Sequence, residues 1–415
     1  MEIRAEAEQI IQTIIEENLP QNAVTTALMA HDFGDRNITL VAIGKAAFTM
    51  AKAASDYLGD KLSCGIVITK YDHSTGTLPN IDIYEAGHPI LDENTLLASA
   101  KVVELVENLN EQDEVLFLVS GGGSALFEAP KDGITLHDLQ TLGQELLTKG
   151  VDIVEINALR KRLSKVKAGG FAKLAAPAKV FAIVLSDVIG DRLDTIASGP
   201  AAPDHTTVAD VTNIIDKYKL DLPDKLKTYL QEETPKQLDN VETLVTGSVR
   251  SLATSAAKAA EKRGYTPYVL TTTSTSEASE AGEFLGSIAA DTLAGITTFE
   301  RPCAIIAGGE TVVTLKGRGI GGRNQELALA AAPAIAGHPN VVIFSVGSDG
   351  TDGPTDAAGG LVDGETISKL VDKHINIDHI LANNDSHTAL KAIDGLVITG
   401  PTGTNVNDVA VVLIK

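Results

Sequence analysis

Short apolar runs rich in β-branched residues recur along the chain, and most are followed by a glycine-rich turn and then by apolar residues at helical spacing. The run ITLVAIG, for example, precedes KAAFTMAKAASDYL. Strands that alternate with helices predict mostly parallel sheets with helices on both faces, because parallel strands need long crossover connections. Continuously apolar runs are typical of strands buried on both faces. The pattern therefore predicts an α/β fold with Rossmann-like layers.

The same pattern predicts the individual elements. Further strands are predicted at Gly65–Thr69, Ile81–Glu85, Glu114–Val119, Lys179–Leu185, Val241–Thr246, Pro267–Thr271, Cys303–Ala307, Thr311–Lys316, Val341–Val346 and Val409–Ile414. Helices are predicted at Glu93–Asn108, Leu136–Lys149, Val249–Arg263 and Glu277–Ala294. The N-terminal segment has mixed charge and apolar residues at helical spacing, which indicates an amphipathic helix and not a signal peptide.

One segment shows neither the pattern of a strand nor the spacing of a helix. Gln231–Asn240 (QEETPKQLDN) is polar and contains Pro235, so it is the best candidate for a linker. We place a domain boundary there, which gives an N-terminal domain at residues 1–238 and a C-terminal domain at residues 239–415.

The chain has 415 residues and carries 34 basic against 55 acidic residues, a formal net charge of −21. This charge argues against general binding of nucleic acid or of anionic membranes, so neither is expected as a partner. The longest apolar stretch, Leu327–Gly337, contains Pro333 and is much shorter than the roughly 20 residues that span a bilayer. We expect a cytoplasmic protein in which Cys64 and Cys303 are reduced core thiols.

The first stretch that suggests chemistry is LFLVSGGGSALFEAP, where an apolar strand leads into Ser120, Gly121, Gly122, Gly123 and Ser124. Three successive residues without Cβ let backbone N–H groups approach a ligand closely. Such a turn at the carboxyl end of a strand suits phosphate or carboxylate. We predict a phosphate-binding loop, and a tight strand-to-helix turn is the alternative.

Lys45 directly follows the first buried strand, where an ammonium group can reach phosphate oxygens. The sequence around it lacks the G-x-x-x-x-G-K-[ST] pattern, so the chain is not a P-loop enzyme.

Five cations within eight residues stand out in an acidic chain, namely Arg160, Lys161, Arg162, Lys165 and Lys167. At helical spacing Arg160 and Lys167 share one face, as do Lys161 and Lys165. Basic runs are usually just solvated, and a role near an anionic ligand is the equal alternative. We take Lys161 as a candidate for phosphate binding and Arg160 as a candidate for substrate binding.

Carboxylates also follow buried strands. Asp187 ends the strand in VLSDVIGDRLDTIASGP, at the edge where open α/β sheets bind ligands. It could hold Mg²⁺ or accept a proton, and a turn cap is the alternative. His88, which precedes Pro89, is a candidate for lining a pocket, although a lone histidine there is at least as often structural.

In the C-terminal third, Gly317-x-Gly319-x-x-Gly322 formally satisfies the dinucleotide fingerprint between a strand and a helix. The fingerprint also needs an acidic residue about 20 positions further on, and none stands there. Arg318 and Arg323 flank the glycines, and arginine offers a planar fork for phosphate or carboxylate. The loop is therefore predicted to handle phosphoryl groups and not NAD.

The segment SVGSDGTDGPTDAAGG places Asp349, Asp352 and Asp356 on one Gly/Pro-rich loop after an apolar strand. Hard cations prefer such oxygens, and the spacing excludes an EF-hand. We predict that Asp349 and Asp352 bind Mg²⁺ or substrate.

Eight motifs in one order resemble the glycerate 2-kinases, the two-domain family with a MOFRL-type C-terminal domain that has also been labelled hydroxypyruvate reductase. These motifs are AIGKAA, LVSGGGSAL, N-x-x-R-K-x-L-S-x-x-K-x-G-G, SDVIGD, GGET, GRGIGGRNQE, GSDGTDGPTDAAG and TGPTGTNVND. The resemblance runs from about residue 5 to the last strand. One departure is Ala168, where relatives usually carry Gly before the glycine pair.

The resemblance implies ATP- and Mg²⁺-dependent phosphorylation of D-glycerate at its 2-hydroxyl, in a cleft between two α/β domains. It places the family's active-site lysine at Lys45 and its active-site arginine at Arg323. In this interpretation the loop at residues 120–124 cradles ATP phosphates, and Lys45 and Arg323 neutralise charge on the transferred group and on the glycerate carboxylate. Asp187 or the Asp349/Asp352 loop would hold Mg²⁺, and one of these carboxylates would take the hydroxyl proton.

Two alternatives stay open at the level of sequence. An NAD(P)H-dependent hydroxypyruvate reductase is suggested by the G-x-G-x-x-G pattern, but this pattern lacks its ribose-binding acid. A non-catalytic metabolite-binding protein would not explain why cations and carboxylates gather on several glycine loops. Small molecules are the partners expected, and the sequence leaves the oligomeric state open, a homodimer included.

Overall fold

The computed structural model describes residues 2–415, which divide into two compact units. We call Val24–Thr246 the central unit. The described residues up to Ala23, together with Gly247–Lys415, form what we call the terminal unit. Each unit is built on one six-stranded sheet, which confirms the predicted α/β class and the organisation into two domains.

The elements are numbered in chain order. The helices are α1 (Glu2–Glu17), α2 (Pro20–Ala30), α3 (Ala47–Leu58), α4 (Glu93–Val106), α5 (Gly123–Leu126), α6 (Leu136–Thr148), α7 (Ile153–Arg162), α8 (Gly170–Ala175), α9 (Val208–Tyr218), α10 (Asp224–Leu230), α11 (Val249–Glu261), α12 (Ala278–Leu293), α13 (Arg323–Ala331), α14 (Thr366–Asp372), α15 (Ile377–Ala382) and α16 (Ser386–Ala392). The strands are β1 (Asn37–Ile43), β2 (Leu62–Lys70), β3 (Ile81–Ala86), β4 (Asp113–Val119), β5 (Lys179–Leu185), β6 (Val241–Gly247), β7 (Thr266–Ser274), β8 (Cys303–Gly309), β9 (Val341–Gly347), β10 (Gly359–Asp363), β11 (Leu396–Val397) and β12 (Asp408–Ile414). Short 3₁₀ turns lie at Gly59–Lys61, Ile196–Ser198 and Ala332–Ile335.

The sheet of the central unit has the strand order β3-β2-β1-β4-β5-β6. Strands β1 to β5 are parallel, as predicted, and β1, β4 and β5 are apolar and almost wholly buried. The order reverses between β1 and β4, and open α/β sheets bind ligands at the carboxyl ends of the strands at such a point. The residues that follow β1, β4 and β5 are therefore in the position where a site is expected.

An aromatic cluster supports that edge from inside the central unit. The rings of Phe117 and Phe171 lie 4.3 Å apart, and those of Phe127 and Phe171 lie 5.7 Å apart. All three side chains are buried. Because Phe127 directly follows α5 and Phe171 lies in α8, the cluster fixes both short helices against β4.

The sheet of the terminal unit has the order β11-β10-β9-β12-β8-β7. Strands β7, β8, β9 and β11 point in one direction, and the neighbours β7 and β8 pair in parallel. Strands β10 and β12 run antiparallel to their neighbours, which the sequence pattern did not predict. The C-terminal strand β12 lies between β8 and β9, so its first residue, Asp408, is at the edge where β8 and β9 end.

One predicted strand is wrong. Thr311–Lys316 alternates like a strand, but it forms only an isolated bridge between Val312 and Glu277. Strand β8 already has β12 on one side and β7 on the other, so it offers no free edge for a further strand. The segment instead leaves Val312 and Leu315 exposed.

The division of the chain also differs from the predicted boundary between residues 238 and 239. Strand β6, beyond that boundary, is the last strand of the central sheet. Helix α1, before it, packs on α11 and β9 of the terminal unit, because its stripe of buried isoleucines needs an apolar partner. Lys415 also donates to Glu6 at 2.9 Å.

Two further predictions concern membrane-spanning helices and the cysteine thiols. In residues 2–415 no helix combines the length and the apolarity needed to cross a membrane. Cys64 and Cys303 are free thiols. Cys303 is buried, as predicted for a core thiol, and burial raises its pKa. Cys64 is only half-buried, so its predicted place in the core is wrong.

Candidate active site

The glycine loop of the central unit, residues 120–124, is tied to the end of β1. The backbone N–H of Ser120 donates to the carbonyl oxygen of Ile43 at 3.0 Å. The Ser120 hydroxyl oxygen accepts from the N–H of Ala46 at 3.0 Å, and the N–H of Lys45 donates to the carbonyl oxygen of Gly121 at 2.9 Å. Ser120 therefore joins the two strand ends, which brings Lys45 next to the glycines.

The glycines are required by what surrounds them. A Cβ on Gly121 would lie 2.4 Å from Oδ2 of Asp187 and 3.7 Å from Cε of Lys45. Gly122 has φ +87°, and a Cβ there would lie 2.9 Å from the His88 ring. The structure thus gathers Lys45, His88 and Asp187, predicted from three separate motifs, around one loop.

The field at this loop is positive. Partial burial, and after it the charges of Lys45, Lys70 and His73, lower the pKa of His88. Lys70 is the last residue of β2, and Nδ1 of His73 lies 3.1 Å from the carbonyl oxygen of Lys45. The sequence analysis missed Lys70 and His73, although the position of Lys70 at the carboxyl end of a parallel strand was a usable signal. Clustered cations beside a glycine loop form an anion site.

The five cations of the basic run have different surroundings. Lys161, a predicted phosphate ligand, is buried and lies 3.1 Å from Asp204 and 3.9 Å from Asp194. Arg162 is also buried and donates to Thr206 at 2.9 Å. Both cations therefore stabilise the packing of the central unit.

Arg160 is different from its neighbours. It is half-buried, and among residues 2–415 no carboxylate pairs with it. Its charge is one of the contributions that lower the pKa of Lys167, so the two side chains lie near each other. They do not share a helix face as predicted, because α7 ends at Arg162 and Lys167 lies in a turn. Arg160 remains the member of the run best suited to an anionic ligand.

Lys167 lies behind the glycine loop and is completely buried. Its Nζ donates to the carbonyl oxygens of Ser124 at 2.7 Å and Phe127 at 3.1 Å, and lies 3.3 Å from a carboxylate oxygen of Glu128. Burial lowers the pKa of Lys167. The lysine closes the C-terminal end of α5, the short helix that continues the loop.

A strained segment supports the same loop. Ala168, Ala197 and Ser198 have φ of 53°, 50° and 63°, a left-handed conformation that costs about 1–3 kcal/mol outside glycine. The N–H of Ala168 donates to the carbonyl oxygen of Ser198 at 3.0 Å, and the Ser198 hydroxyl lies 2.9 Å from that of Ser124. The left-handed backbone explains why glycine suits position 168, where this chain has alanine.

In the terminal unit, Arg323 begins α13 and its guanidinium is held by two carboxylates. It donates to Asp408 through Nε at 2.6 Å and Nη2 at 3.2 Å, and to Glu310 through Nη1 at 2.9 Å. Two guanidinium N–H groups remain, and the side chain is 31% exposed, so the held fork still has donors for an anion.

Asp352, a predicted magnesium ligand, caps α13 instead. Its buried carboxylate accepts from the backbone N–H groups of Asn324 at 3.1 Å and Gln325 at 2.9 Å. It also accepts from both amide side chains, at 3.4 Å and 3.0 Å. A carboxylate with four donors around it is poorly available to a metal ion.

The G-x-G-x-x-G loop is occupied by the chain itself. The N–H groups of Lys316 and Gly317 donate to the side chain of Asn384 at 2.7 Å and 3.0 Å. Asn383 and Asp385 accept from Arg318 and Ile320 in the same way, at 3.1 Å and 3.0 Å. The glycines are needed for this close approach, because a Cβ on Gly317 would lie 2.3 Å from a backbone oxygen. These N–H groups are thus not directed at a pyrophosphate, which removes the structural basis for a dinucleotide site.

The remaining magnesium candidates are Asp187 and Asp349. Asp349 accepts from the N–H of Thr351 at 3.0 Å, a local turn contact. Asp187 directs Oδ2 at the glycine loop. No cluster of three or more acidic, His or Cys side chains suited to a metal occurs in residues 2–415. Mg²⁺ in enzymes that act on phosphates usually takes only one or two carboxylates and completes its shell with phosphate oxygens and water, so Asp187 fits the ion.

Two family models match the chain. Residues 6–231 match a domain of unknown function, DUF4147, and residues 303–408 match the MOFRL family. The D-glycerate 2-kinase of Thermotoga maritima is 50% identical over 406 residues, covering 98% of this chain and 97% of that protein. The glycerate 2-kinase of Pyrococcus horikoshii is 41% identical over 388 residues, covering 91% and 87%.

Comparison with solved structures gives the same relationship. The crystal structure of a glycerate kinase from Thermotoga maritima matches with a TM-score of 0.96 at 49% identity and covers 100% of both chains.

Proposed function

This chain belongs to the two-domain glycerate 2-kinase family, and from that premise we propose that it transfers the γ-phosphoryl group of ATP to the 2-hydroxyl of D-glycerate, giving 2-phosphoglycerate and ADP. The observation that best supports this function is the glycine loop of the central unit, with Lys45 and Asp187 against Gly121. Phosphoryl transfer needs positioning and charge neutralisation more than covalent chemistry, and this loop offers both.

The loop residues Ser120 to Ser124 bind phosphate oxygens through backbone N–H groups in this proposal. Lys45 neutralises charge on the transferred group. Its side chain is half-buried, so its charge is only partly screened by water. Lys70 adds positive potential at the same place, whereas the lowered pKa of His88 keeps its ring uncharged at neutral pH.

Asp187 is the proposed acceptor of the proton from the 2-hydroxyl. It follows β5 and lies against the loop that binds the phosphate oxygens, so the hydroxyl and the phosphoryl group can be held together. The same carboxylate is the proposed ligand of Mg²⁺. When bound, the ion would neutralise charge on the phosphate oxygens.

Arg323 and Arg160 are the proposed ligands of anionic oxygens in their respective units, with the glycerate carboxylate among them. Both offer a planar guanidinium that can bind a carboxylate through two hydrogen bonds. Asp349 remains a proposed substrate contact. A kinase that depends on ATP is expected in the cytoplasm.

The test is an ATP assay with D-glycerate in which enolase is present and phosphoglycerate mutase is absent. Enolase acts on 2-phosphoglycerate only, so formation of phosphoenolpyruvate identifies the 2-hydroxyl as the acceptor. ADP formation without phosphoenolpyruvate would contradict the proposed position of transfer. Absence of ADP would contradict the kinase function.

The reductase alternative is tested by mixing the protein with NADH and hydroxypyruvate. We expect no oxidation of NADH, because the N–H groups of the G-x-G-x-x-G loop are already bound to Asn383, Asn384 and Asp385. Steady oxidation of NADH would overturn the kinase proposal.

A further inference from the structure

The backbone of Lys45 is bound on both sides by other segments of the central unit. Its N–H donates to the carbonyl oxygen of Gly121 at 2.9 Å. Its carbonyl oxygen lies 3.1 Å from Nδ1 of His73 and accepts from the Thr69 hydroxyl at 3.4 Å. Because a carbonyl oxygen only accepts, Nδ1 of His73 carries the proton and donates it. One end of the Lys45 backbone is therefore fixed to the glycine loop and the other to the turn after β2.

The turn that carries His73, residues 71–74, is held by a carboxylate of the next strand. One oxygen of Glu85, in β3, accepts from the backbone N–H of Ser74 at 3.0 Å and from its hydroxyl at 2.6 Å. The Ser74 hydroxyl lowers the pKa of Glu85 most, and backbone N–H groups of the same turn lower it further. Glu85 is therefore ionised at neutral pH and orients the turn, and with it the ring of His73.

The side chain of Lys45 follows the glycine loop. A Cβ on Gly122 would lie 3.4 Å from its Cγ, and a Cβ on Gly121 would lie 3.7 Å from its Cε. The direction of a side chain depends on the two backbone torsions at its Cα, which are set by the peptide groups on either side. Gly121 binds the peptide group before Lys45 and His73 binds the one after it, so both torsions are fixed.

We propose that His73 is a positioning residue of the transfer site, that Glu85 orients it, and that both act through Lys45. The proposal rests on the proposed kinase function for the reaction that Lys45 serves. A misplacement of about 1 Å can lower the rate of an enzyme about 10²-fold, because groups that stabilise developing charge must already be in place. His73 itself is exposed, so its loss should change the geometry of the site more than the stability of the fold.

The test uses three substitutions and a control. His73→Leu removes the donor, and His73→Asn keeps one, because the amide N–H of asparagine replaces Nδ1–H. Glu85→Ala releases the turn. The control is His137→Leu, since His137 is an exposed histidine of α6 in the same unit. The measurements are kcat, the KM for each substrate, the Kd for tripolyphosphate by calorimetry, and the melting temperature.

We expect His73→Leu and Glu85→Ala to lower kcat by about tenfold and to weaken binding of tripolyphosphate severalfold. The KM for D-glycerate and the melting temperature of His73→Leu should stay near the wild-type values. His73→Asn should recover most of the lost kcat, and His137→Leu should behave as wild type. A wild-type kcat in His73→Leu would overturn the proposal, as would equal losses in His73→Leu and His73→Asn.

The background of Lys45→Ala shows whether the histidine acts through the lysine. If it does, adding His73→Leu to Lys45→Ala should cause no further loss of kcat. A further tenfold loss in that background would show that His73 acts independently of Lys45 and would overturn the proposal. The double variant His73→Leu/Glu85→Ala should be no slower than the slower single variant. If Glu85→Ala does not fold, the two His73 variants decide.

The outcome for His73 is separable from the outcome for the function. A wild-type protein that does not phosphorylate D-glycerate loses the proposed function, and binding of tripolyphosphate then decides the role of His73. Weaker binding in His73→Leu, with no further weakening when this change is added to Lys45→Ala, retains the positioning role. A protein that phosphorylates D-glycerate equally well with and without His73 retains the function and loses the positioning role. A protein that neither phosphorylates D-glycerate nor binds tripolyphosphate loses both.

Discussion

Asp408 holds the guanidinium of Arg323 through two hydrogen bonds, of 2.6 Å to Nε and 3.2 Å to Nη2. Burial raises the pKa of Asp408 to about 6, and the charge of Arg323 acts in the opposite direction. The carboxylate that positions the arginine therefore begins to take up a proton within about a pH unit below neutrality. This pair links the ionisation of one buried side chain to the geometry of a proposed substrate ligand.

We predict an acidic limb in the pH profile of kcat/KM, with an apparent pKa near 6. Below that pH Asp408 takes up a proton, so the group that accepts two of the three hydrogen bonds of Arg323 loses its charge. In Asp408→Asn the limb should disappear, and kcat/KM should already be low at pH 8. A limb that persists unchanged in Asp408→Asn would contradict this assignment.

The same limb must be distinguished from unfolding. The folded-state pKa of Asp408 lies above its usual value of 3.8, so the folded protein binds this proton more readily than the unfolded chain. The contribution of Asp408 to stability is thus complete below the unfolded pKa and is lost as the pH rises through about 6. Acidification from pH 7 lowers activity through this group without destabilising the fold through it. Melting temperatures measured across the profile separate the two effects.

Lys45→Ala should lower kcat by about 10²–10³-fold, because the lysine is proposed to stabilise charge that develops during transfer. Steady-state kinetics with ATP and D-glycerate measures the loss. Lys52→Ala is the control, since Lys52 lies on α3, is exposed and pairs with the exposed Asp56. Equal kcat values for the two variants would exclude Lys45 from the reaction.

Gly121→Ala should abolish most of the activity, because the new Cβ would lie 2.4 Å from Oδ2 of Asp187 and displace either the loop or the carboxylate. The matched control is Gly143→Ala. Nothing lies within 4 Å of a Cβ at Gly143, and this glycine is inside α6, so alanine should stabilise the fold by about 0.5–1 kcal/mol. Activity and urea unfolding are compared for both. Retention of wild-type kcat in Gly121→Ala would show that the loop and Asp187 do not act together.

The sequence predicted what depends on short-range pattern. Apolar runs identified β1, β4 and β5 and therefore the edge where Lys45, the glycine loop and Asp187 meet. Contacts between residues that are far apart in the chain could not be predicted from this pattern. The role of Asp352 depends on α13, which begins 29 residues earlier at Arg323, and the burial of Lys161 depends on Asp204. A basic run has the same spacing whether its cations face a ligand or carboxylates from distant segments.

The G-x-G-x-x-G loop is a second case in which the pattern was correct and the partner was not predictable. Its glycines permit close approach of a partner, as the pattern predicts, but the partner is the Asn383–Asp385 turn and not a pyrophosphate. Glycine spacing reports that something approaches the backbone. Only the fold identifies what approaches it.

Lys167→Met should destabilise the central unit by about 3–5 kcal/mol, because it leaves Glu128 buried and charged without its partner. One oxygen of Glu128 already has no hydrogen-bond partner among residues 2–415, so the protein cannot compensate locally. The double variant Lys167→Met/Glu128→Gln removes both charges and should recover most of the lost stability. Urea unfolding provides the measurement.

Lys165→Met is the matched control, two residues away in the same basic run. Lys165 is partly exposed and pairs with the exposed Asp132 at 2.7 Å, a contact that contributes less than about 1 kcal/mol. If Lys167→Met and Lys165→Met lose similar stability, the buried pair does not hold the loop. If only Lys167→Met is destabilised and the Glu128→Gln change rescues it, Lys167 is the positioning residue that fixes the carbonyl groups of Ser124 and Phe127 behind the phosphate-binding loop.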